Sequence, residues 1–288
     1  MRQVAVIGYA SIDYPAVLDG FFEPDRTTMI RRRPAGAFPR PGGCPLYVAG
    51  PMAAAGIDVS VVTWVGSDDH GRLFTSQARR RGIGADGIGV VEQGDTPVCF
   101  VIHQADGSCG YLFDPGMLGR ESLTDRQKKL IAAADLLCFT VGPPQLAQQA
   151  LELIGDECEV AWVSKNDPLS YPEDLRMALG SRAGLIFCNR HEREWVNEAL
   201  ARRSGNRSPM IVETDGANPV TAERNGVCIE VAVQALSFDD ATGAGDTLSG
   251  GCLAAVAAGQ SDLRKIVERG VDAAAALLRG RSDSAPES

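Results

Sequence analysis

Residues 240–251 read DATGAGDTLSGG, and residues 252–259 continue as CLAAVAAG. Gly243 and Gly245 flank Ala244, the acid Asp246 follows at once, and the small, mostly apolar run behind it predicts a helix. A helix N-terminus carries unpaired backbone N–H groups and a partial positive charge. Glycines there allow unusual backbone angles and the close approach of an anion. The turn of Gly243, Ala244 and Gly245 therefore reads as an anion cradle. Binding alone would not favour a carboxylate beside an anion, because like charges repel. Asp246 makes sense as a general base, taking a proton from an attacking hydroxyl while the amides hold developing negative charge. A base of this kind is worth about 10²–10⁴-fold in rate, and an oxyanion donor about 10²–10³-fold. The competing reading is an ordinary helix start with Asp246 as its cap.

Outward from this stretch, short apolar runs alternate with amphipathic ones. The strand-like runs are QVAVIGY (3–9), VSVVTWVG (59–66), ADLLCFTVG (134–142), EVAWVS (159–164), GLIFCN (184–189) and PMIVETDG (209–216). Between them lie helix-like runs at 45–56, 71–82, 143–155, 172–180 and 191–205. The alternation predicts an α/β fold with a mostly parallel sheet covered on both faces. Ligands of such sheets bind beyond the carboxyl ends of the strands, which gathers GYASID, TWVGSDD, VSKND, FCNRHE and VETDG at one rim.

Two segments break the rhythm. Residues 12–41 look extended, with Arg31, Arg32 and Arg33 in the middle, and residues 96–115 read as a hairpin turning at Asp106-Gly107. Together they predict a small β-sheet lid on a single domain spanning 1–288. The three arginines read as a solvated lid strand, the competing reading being a contact to a phosphate. RSDSAPES (281–288) reads as a disordered tail.

Composition narrows the function. The 288 residues are 44% hydrophobic and 23% charged, as expected of a globular chain with a sizeable core. A net charge of −9 argues against a nucleic-acid or anionic-membrane partner. Eight cysteines form no C-x-x-C pair and there are three histidines. They predict reduced core thiols of a cytoplasmic protein and no His/Cys zinc site. The short first apolar run reads as a strand rather than a signal peptide, and no run approaches the roughly 20 apolar residues of a membrane helix.

DATGAGDTLSGG resembles the C-terminal signature of the ribokinase-like carbohydrate kinases, the PfkB family. Gly42-Gly43 in PRPGGCP, VGSDDHG (65–71), NRHE (189–192) and ETDG (213–216) resemble further family motifs, in the family's order. The resemblance implies a ribokinase-like fold and an ATP-dependent transfer of a phosphoryl group to a hydroxymethyl group of a sugar or nucleoside. It makes Asp246 the base and the amides of Gly243, Ala244 and Gly245 the anion hole. Asn189 and Glu192 would organise Mg²⁺, largely through water, in a reaction that rests on positioning and charge neutralisation. Thr214 and Gly216, with Asn189, Gly243 and Gly245, would line the nucleotide. Asp13, Gly42 and Gly43 would hold the sugar. Asp240 and Thr242 match positions whose backbone helps bind a monovalent cation such as K⁺ in some members, and lid strands pair between subunits into a homodimer in some relatives.

The chain also departs from the pattern. Tyr47 stands where the family has a substrate-contacting Asn, and Pro219 where it has a Gly. SKND (164–167) blurs the usual D-x-N, leaving Asn166 or Asp167 to reach substrate or phosphate. These departures keep open a non-catalytic sugar or nucleotide sensor on the same fold. A nicotinamide-dependent dehydrogenase is disfavoured, because no G-x-G-x-x-G follows the first strand.

Overall fold

A computed structural model describes residues 2–34, 36–117, 119–203, 208–236, 238 and 240–282. In chain order the elements begin with β1 (Gln3–Ile7), β2 (Ser11–Leu18), β3 (Ile30–Arg32), β4 (Arg40–Gly42), α1 (Cys44–Ala54), β5 (Asp58–Gly66), α2 (Asp69–Arg80) and β6 (Ile88–Val91). They continue with β7 (Val98–His103), β8 (Cys109–Asp114), α3 (Asp125–Ala132), β9 (Leu136–Phe139), α4 (Pro144–Leu153), β10 (Glu159–Val163), α5 (Glu173–Arg182) and β11 (Leu185–Asn189). The last are α6 (Arg193–Leu200), β12 (Met210–Thr214), β13 (Val220–Arg224), β14 (Val227–Val231), α7 (Ala244–Ala257) and α8 (Leu263–Ser282).

The main sheet has nine strands in the order β14-β13-β12-β11-β10-β9-β1-β5-β6. It is parallel from β6 to β12, and β13 and β14 add an antiparallel end. Both faces are buried, which is why its strands read as nearly unbroken apolar runs. In β1, Val4 and Val6 join one core with Leu46, Met52, Leu248 and Leu253, while Ala5 and Ile7 join the other with Trp64, Phe139, Trp162 and Leu175. The chain grows to one side of β1 through β5 and to the other through β9, so the strand order reverses at β1. The backbones meet tightly there: a Cβ on Gly142 would lie 2.8 Å from the Cα of Gly8.

The second, smaller sheet has five strands in the order β3-β2-β7-β8, with β4 also paired to β2. The two segments read as a lid supply all five. Strand β2 lies at the centre, parallel to β7 and antiparallel to β3 and β4.

Three differences from the sequence reading stand out. Helices α3 and α8 and strands β6 and β13 were not anticipated, and the run EVAVQAL (230–236), which reads as a strand, is strand only at Glu230 and Val231, the end of β14. Arg281 and Ser282, expected to begin a tail, close the 20-residue α8 instead. Residues 283–288, expected to be a tail, and residues 204–205 at the end of one expected helix lie outside the described residues. All eight cysteines are free, and among the described residues no helix is long and apolar enough to cross a membrane.

Candidate functional site

Gly243 caps α7 in the left-handed region, at φ 77°. A Cβ there would also lie 2.6 Å from the Tyr47 ring, so both backbone and space demand glycine. The Ala244 N–H donates to the Ala241 carbonyl at 3.0 Å. Of the three amides expected to cradle an anion, that of Ala244 is thus engaged within a tight turn. Gly245 and Asp246, at the second and third helical positions, are left as the first-turn donors without an intrahelical acceptor. Asp246 is half-buried. Burial pushes its carboxyl upward, against the nearby charge of Lys165 and a hydrogen bond from the Cys44 thiol.

Asp246 faces a cavity of about 620 Å³. One wall is built from strand ends and the α7 start: Lys165, Asn189, Glu192, Thr214, Thr242, Gly243 and Gly245. The opposite wall comes from the second sheet and includes Leu18, Arg31, His103 and Tyr111. Asn189 and Glu192 lock each other: the Asn189 N–H donates to Glu192 Oε2 at 2.9 Å, and the Glu192 N–H donates to Asn189 Oδ1 at 3.0 Å. Burial pushes the Glu192 carboxyl up, opposed by hydrogen bonds from the Asn189 and Asn166 backbones and by Lys165. Lys165 was missed by the sequence reading, which weighed only its neighbours Asn166 and Asp167. It is exposed to the cavity. Desolvation opposes its charge, yet the neighbouring Asp246, Cys44 and Glu192 push its pKa up. Asp167 instead caps the next turn, accepting from Ser170 Oγ at 2.9 Å. Gly216, at φ 59°, lies in an exposed turn outside the cavity lining.

Asp13, Gly42, Gly43 and Tyr47 also lie outside that lining. Asp13 is buried and accepts from Ser11 Oγ at 2.5 Å and from the Tyr47 hydroxyl at 3.2 Å. Burial pushes its carboxyl up, against these hydrogen bonds and Arg40. The glycine pair is needed first to fit this cluster. A Cβ on Gly42 would fall 2.0 Å from Asp13 Oδ2, and one on Gly43 would fall 2.5 Å from the Tyr9 carbonyl.

Asp240 collects cations from distant parts of the chain. Its carboxylate lies 2.5 Å from Arg40, 3.3 Å from His103 and 3.6 Å from Arg281. Its carbonyl accepts from Arg281 at 2.9 Å, and its Oδ1 accepts from the Thr242 N–H at 2.9 Å. Burial opposes ionisation of Asp240, but His103, Arg40 and Arg281 hold its carboxyl well below the usual range. Burial likewise opposes the charge on His103, but the neighbouring Asp240 and Cys109 outweigh it, pushing the imidazole up to about 9. A K⁺ ion at Asp240 and Thr242 would meet the Arg40 and Arg281 guanidiniums, the second of which already occupies the Asp240 carbonyl, so these residues do not fit the monovalent cation that the resemblance implied. Nothing local in the sequence marks Arg40, His103 or Arg281 as partners; only the fold brings them together.

Other motif residues have structural duties. Asp68 of VGSDDHG accepts from the Gly71 N–H at 2.7 Å and the Thr96 N–H at 2.9 Å, tying the start of α2 to the approach to β7. Trp64 is buried and donates to the Ser122 carbonyl. Of the three arginines, Arg31 lines the cavity and Arg33 lies over the Phe38 ring at 4.7 Å.

The family model described as pfkB family carbohydrate kinase matches residues 1–288. A curated relative, an ATP-dependent ribose-1-phosphate kinase of Halopiger xanaduensis, is 28% identical over 151 residues. That match covers 51% of this chain and spans about half (48%) of the relative. Among solved structures, a ribokinase from Cryptococcus neoformans var. grubii in complex with ADP superposes with a TM-score of 0.80 at 19% identity, over 99% of this chain and 97% of that one. A nucleoside kinase of Methanocaldococcus jannaschii, described as an archaeal member of the ribokinase family, gives 0.78 at 19% identity, over 97% and 92%.

Proposed function

Because the chain belongs to the pfkB family of carbohydrate kinases, we propose that it transfers the γ-phosphoryl group of MgATP to a hydroxymethyl group of a sugar or nucleoside. The observation that carries this reading is the meeting, in one cavity, of Asp246, the first turn of α7, Lys165 and Glu192. Asp246 takes the proton of the acceptor hydroxyl as its oxygen bonds to the γ-phosphorus. The bond to the β–γ bridging oxygen breaks, and ADP leaves with that electron pair. The amides of Gly245 and Asp246 and the Lys165 ammonium stabilise charge on the transferring group. Thr214 and the turn at Gly216 line the nucleotide. The second sheet, acting as a lid over the cavity, excludes water.

Mg²⁺ fits the residues present in one way. Among the described residues no three His, Cys, Asp or Glu side chains gather into a metal site. Glu192 and Asn189, locked together at the cavity wall, would hold the ion largely through water, as suits Mg²⁺, which keeps several waters. Bound there, the ion would supply neutralisation of phosphate charge.

The test is ADP release from MgATP against pentoses, hexoses, phosphosugars including ribose 1-phosphate, and nucleosides, with Asp246→Asn alongside. One acceptor should drive ADP release that Asp246→Asn lacks, while the variant still binds MgADP. Near-normal turnover by Asp246→Asn would sink the assignment. The sensor alternative draws on Tyr47, which already holds Asp13; ligand binding with no ADP formed on any acceptor would favour it.

A further inference from the structure

Asp240 begins the stretch that leads to the base, and three cationic side chains from separate elements converge on it. Arg40 comes from β4, His103 from the end of β7 and Arg281 from the last turn of α8. The carboxylates facing them are Asp240 and Asp13, and burial pushes Asp13 towards its neutral form. The Asp240 carboxylate is thus already matched by built-in side chains behind the Gly243 turn.

Arg281 makes the most connected contacts of the three. One nitrogen donates to the Asp240 carbonyl at 2.9 Å and lies 3.6 Å from the Asp240 carboxylate. Another donates to the Tyr47 hydroxyl at 3.4 Å, and its guanidinium carbon is 5.8 Å from the centre of the Tyr47 ring. That ring packs against the bare Cα of Gly243. Arg281 therefore bears on the turn at both ends, directly at Asp240 and through Tyr47 at Gly243.

We propose that Arg281 is a positioning residue: a built-in guanidinium that fixes residues 240–243, aims the amides of Gly245 and Asp246 at a phosphate, and makes the turn independent of any free monovalent cation. Its effect on phosphoryl transfer rests on the kinase reading; its effect on the turn is read through nucleotide binding alone. MgADP affinity is measured by calorimetry in potassium chloride and in choline chloride at matched ionic strength, for the wild type, Arg281→Met and Arg281→Lys.

The wild type should bind equally in both salts. Arg281→Met should bind about tenfold more weakly in choline, the scale of a lost charged hydrogen bond, and should recover with added guanidinium or potassium ion. Arg281→Lys should keep most of the affinity. Wild-type affinity that rises several-fold with potassium would overturn the proposal. So would Arg281→Met binding like the wild type, or a loss that neither cation restores, which would mark a purely structural role. Turnover is scored separately: binding without ADP release on any acceptor counts against the kinase reading and leaves the cation comparison intact.

Discussion

Lys165 faces Asp246 and Glu192 across the cavity, and both carboxylates push its pKa above its ordinary value. It stays charged throughout the neutral range and lines the same cavity as Asp246. Lys165→Met should lower kcat by about 10²–10³-fold with an unchanged circular dichroism spectrum; wild-type kcat in that protein would remove Lys165 from the chemistry. The pairing of His103 with Asp240 predicts a pH effect on stability. His103 titrates near 6.5 in the unfolded chain and at about 9 when folded. Its contribution is fully present below pH 6.5 and is lost as pH rises through 9. Urea unfolding at about pH 6 and about pH 9.5 should show the wild type losing more stability across that interval than His103→Gln. Equal losses would mean that the imidazole is not charged in the fold.

Helix α7 explains why the signature continues in small residues after Asp246. It is wedged between α1 and α8. A Cβ on Gly250 would lie 2.1 Å from the Val48 carbonyl, and one on Gly251 would lie 2.6 Å from the Arg269 carbonyl. On the facing helix, a Cβ at Gly270 would lie 2.4 Å from Cys252 Sγ. The glycines let backbones approach so closely that α7 is held on two sides, which fixes its first turn at the cavity. Because the neighbour at Gly250 is backbone rather than a flexible side chain, Gly250→Ala should destabilise the fold by about 1–3 kcal/mol. A lowered urea midpoint at unchanged slope checks this; an unchanged midpoint would mean that the α1–α7 contact relaxes freely.

The whole molecule presents one wall of the cavity on the large sheet and the other on the small one. In the small sheet, β8 is exposed along its length, with Tyr111 at 55% and Leu112 at 65% exposure, and Phe100 of β7 is exposed beside them. An exposed apolar edge strand invites pairing. A second copy of the chain is the partner proposed here, its edge meeting this one across the lids. Light scattering should give a dimer for the wild type and a monomer for Leu112→Asp. A wild type that is monomeric at all concentrations tested would exclude this pairing.

The amino-acid sequence by itself determined the fold class, because a sheet buried on both faces needs near-continuous apolar strands and helices to cover it, and both patterns are local. It also marked Asp246, Gly243 and the Asn189–Glu192 lock, whose geometry arises within a few residues of chain. Gly42 was marked only through the resemblance, as a sugar contact, and its closest constraint, the Asp13 carboxylate, was not legible. Lys165 was hidden because a lysine beside a strand end is ordinarily solvated, and its meaning comes from carboxylates on other loops. Only the tertiary structure decided that Asp240 is held by Arg40, His103 and Arg281 rather than left open to a cation. Those charges are far apart along the chain, and electrostatic pairing depends on distance in space, which sequence spacing does not encode.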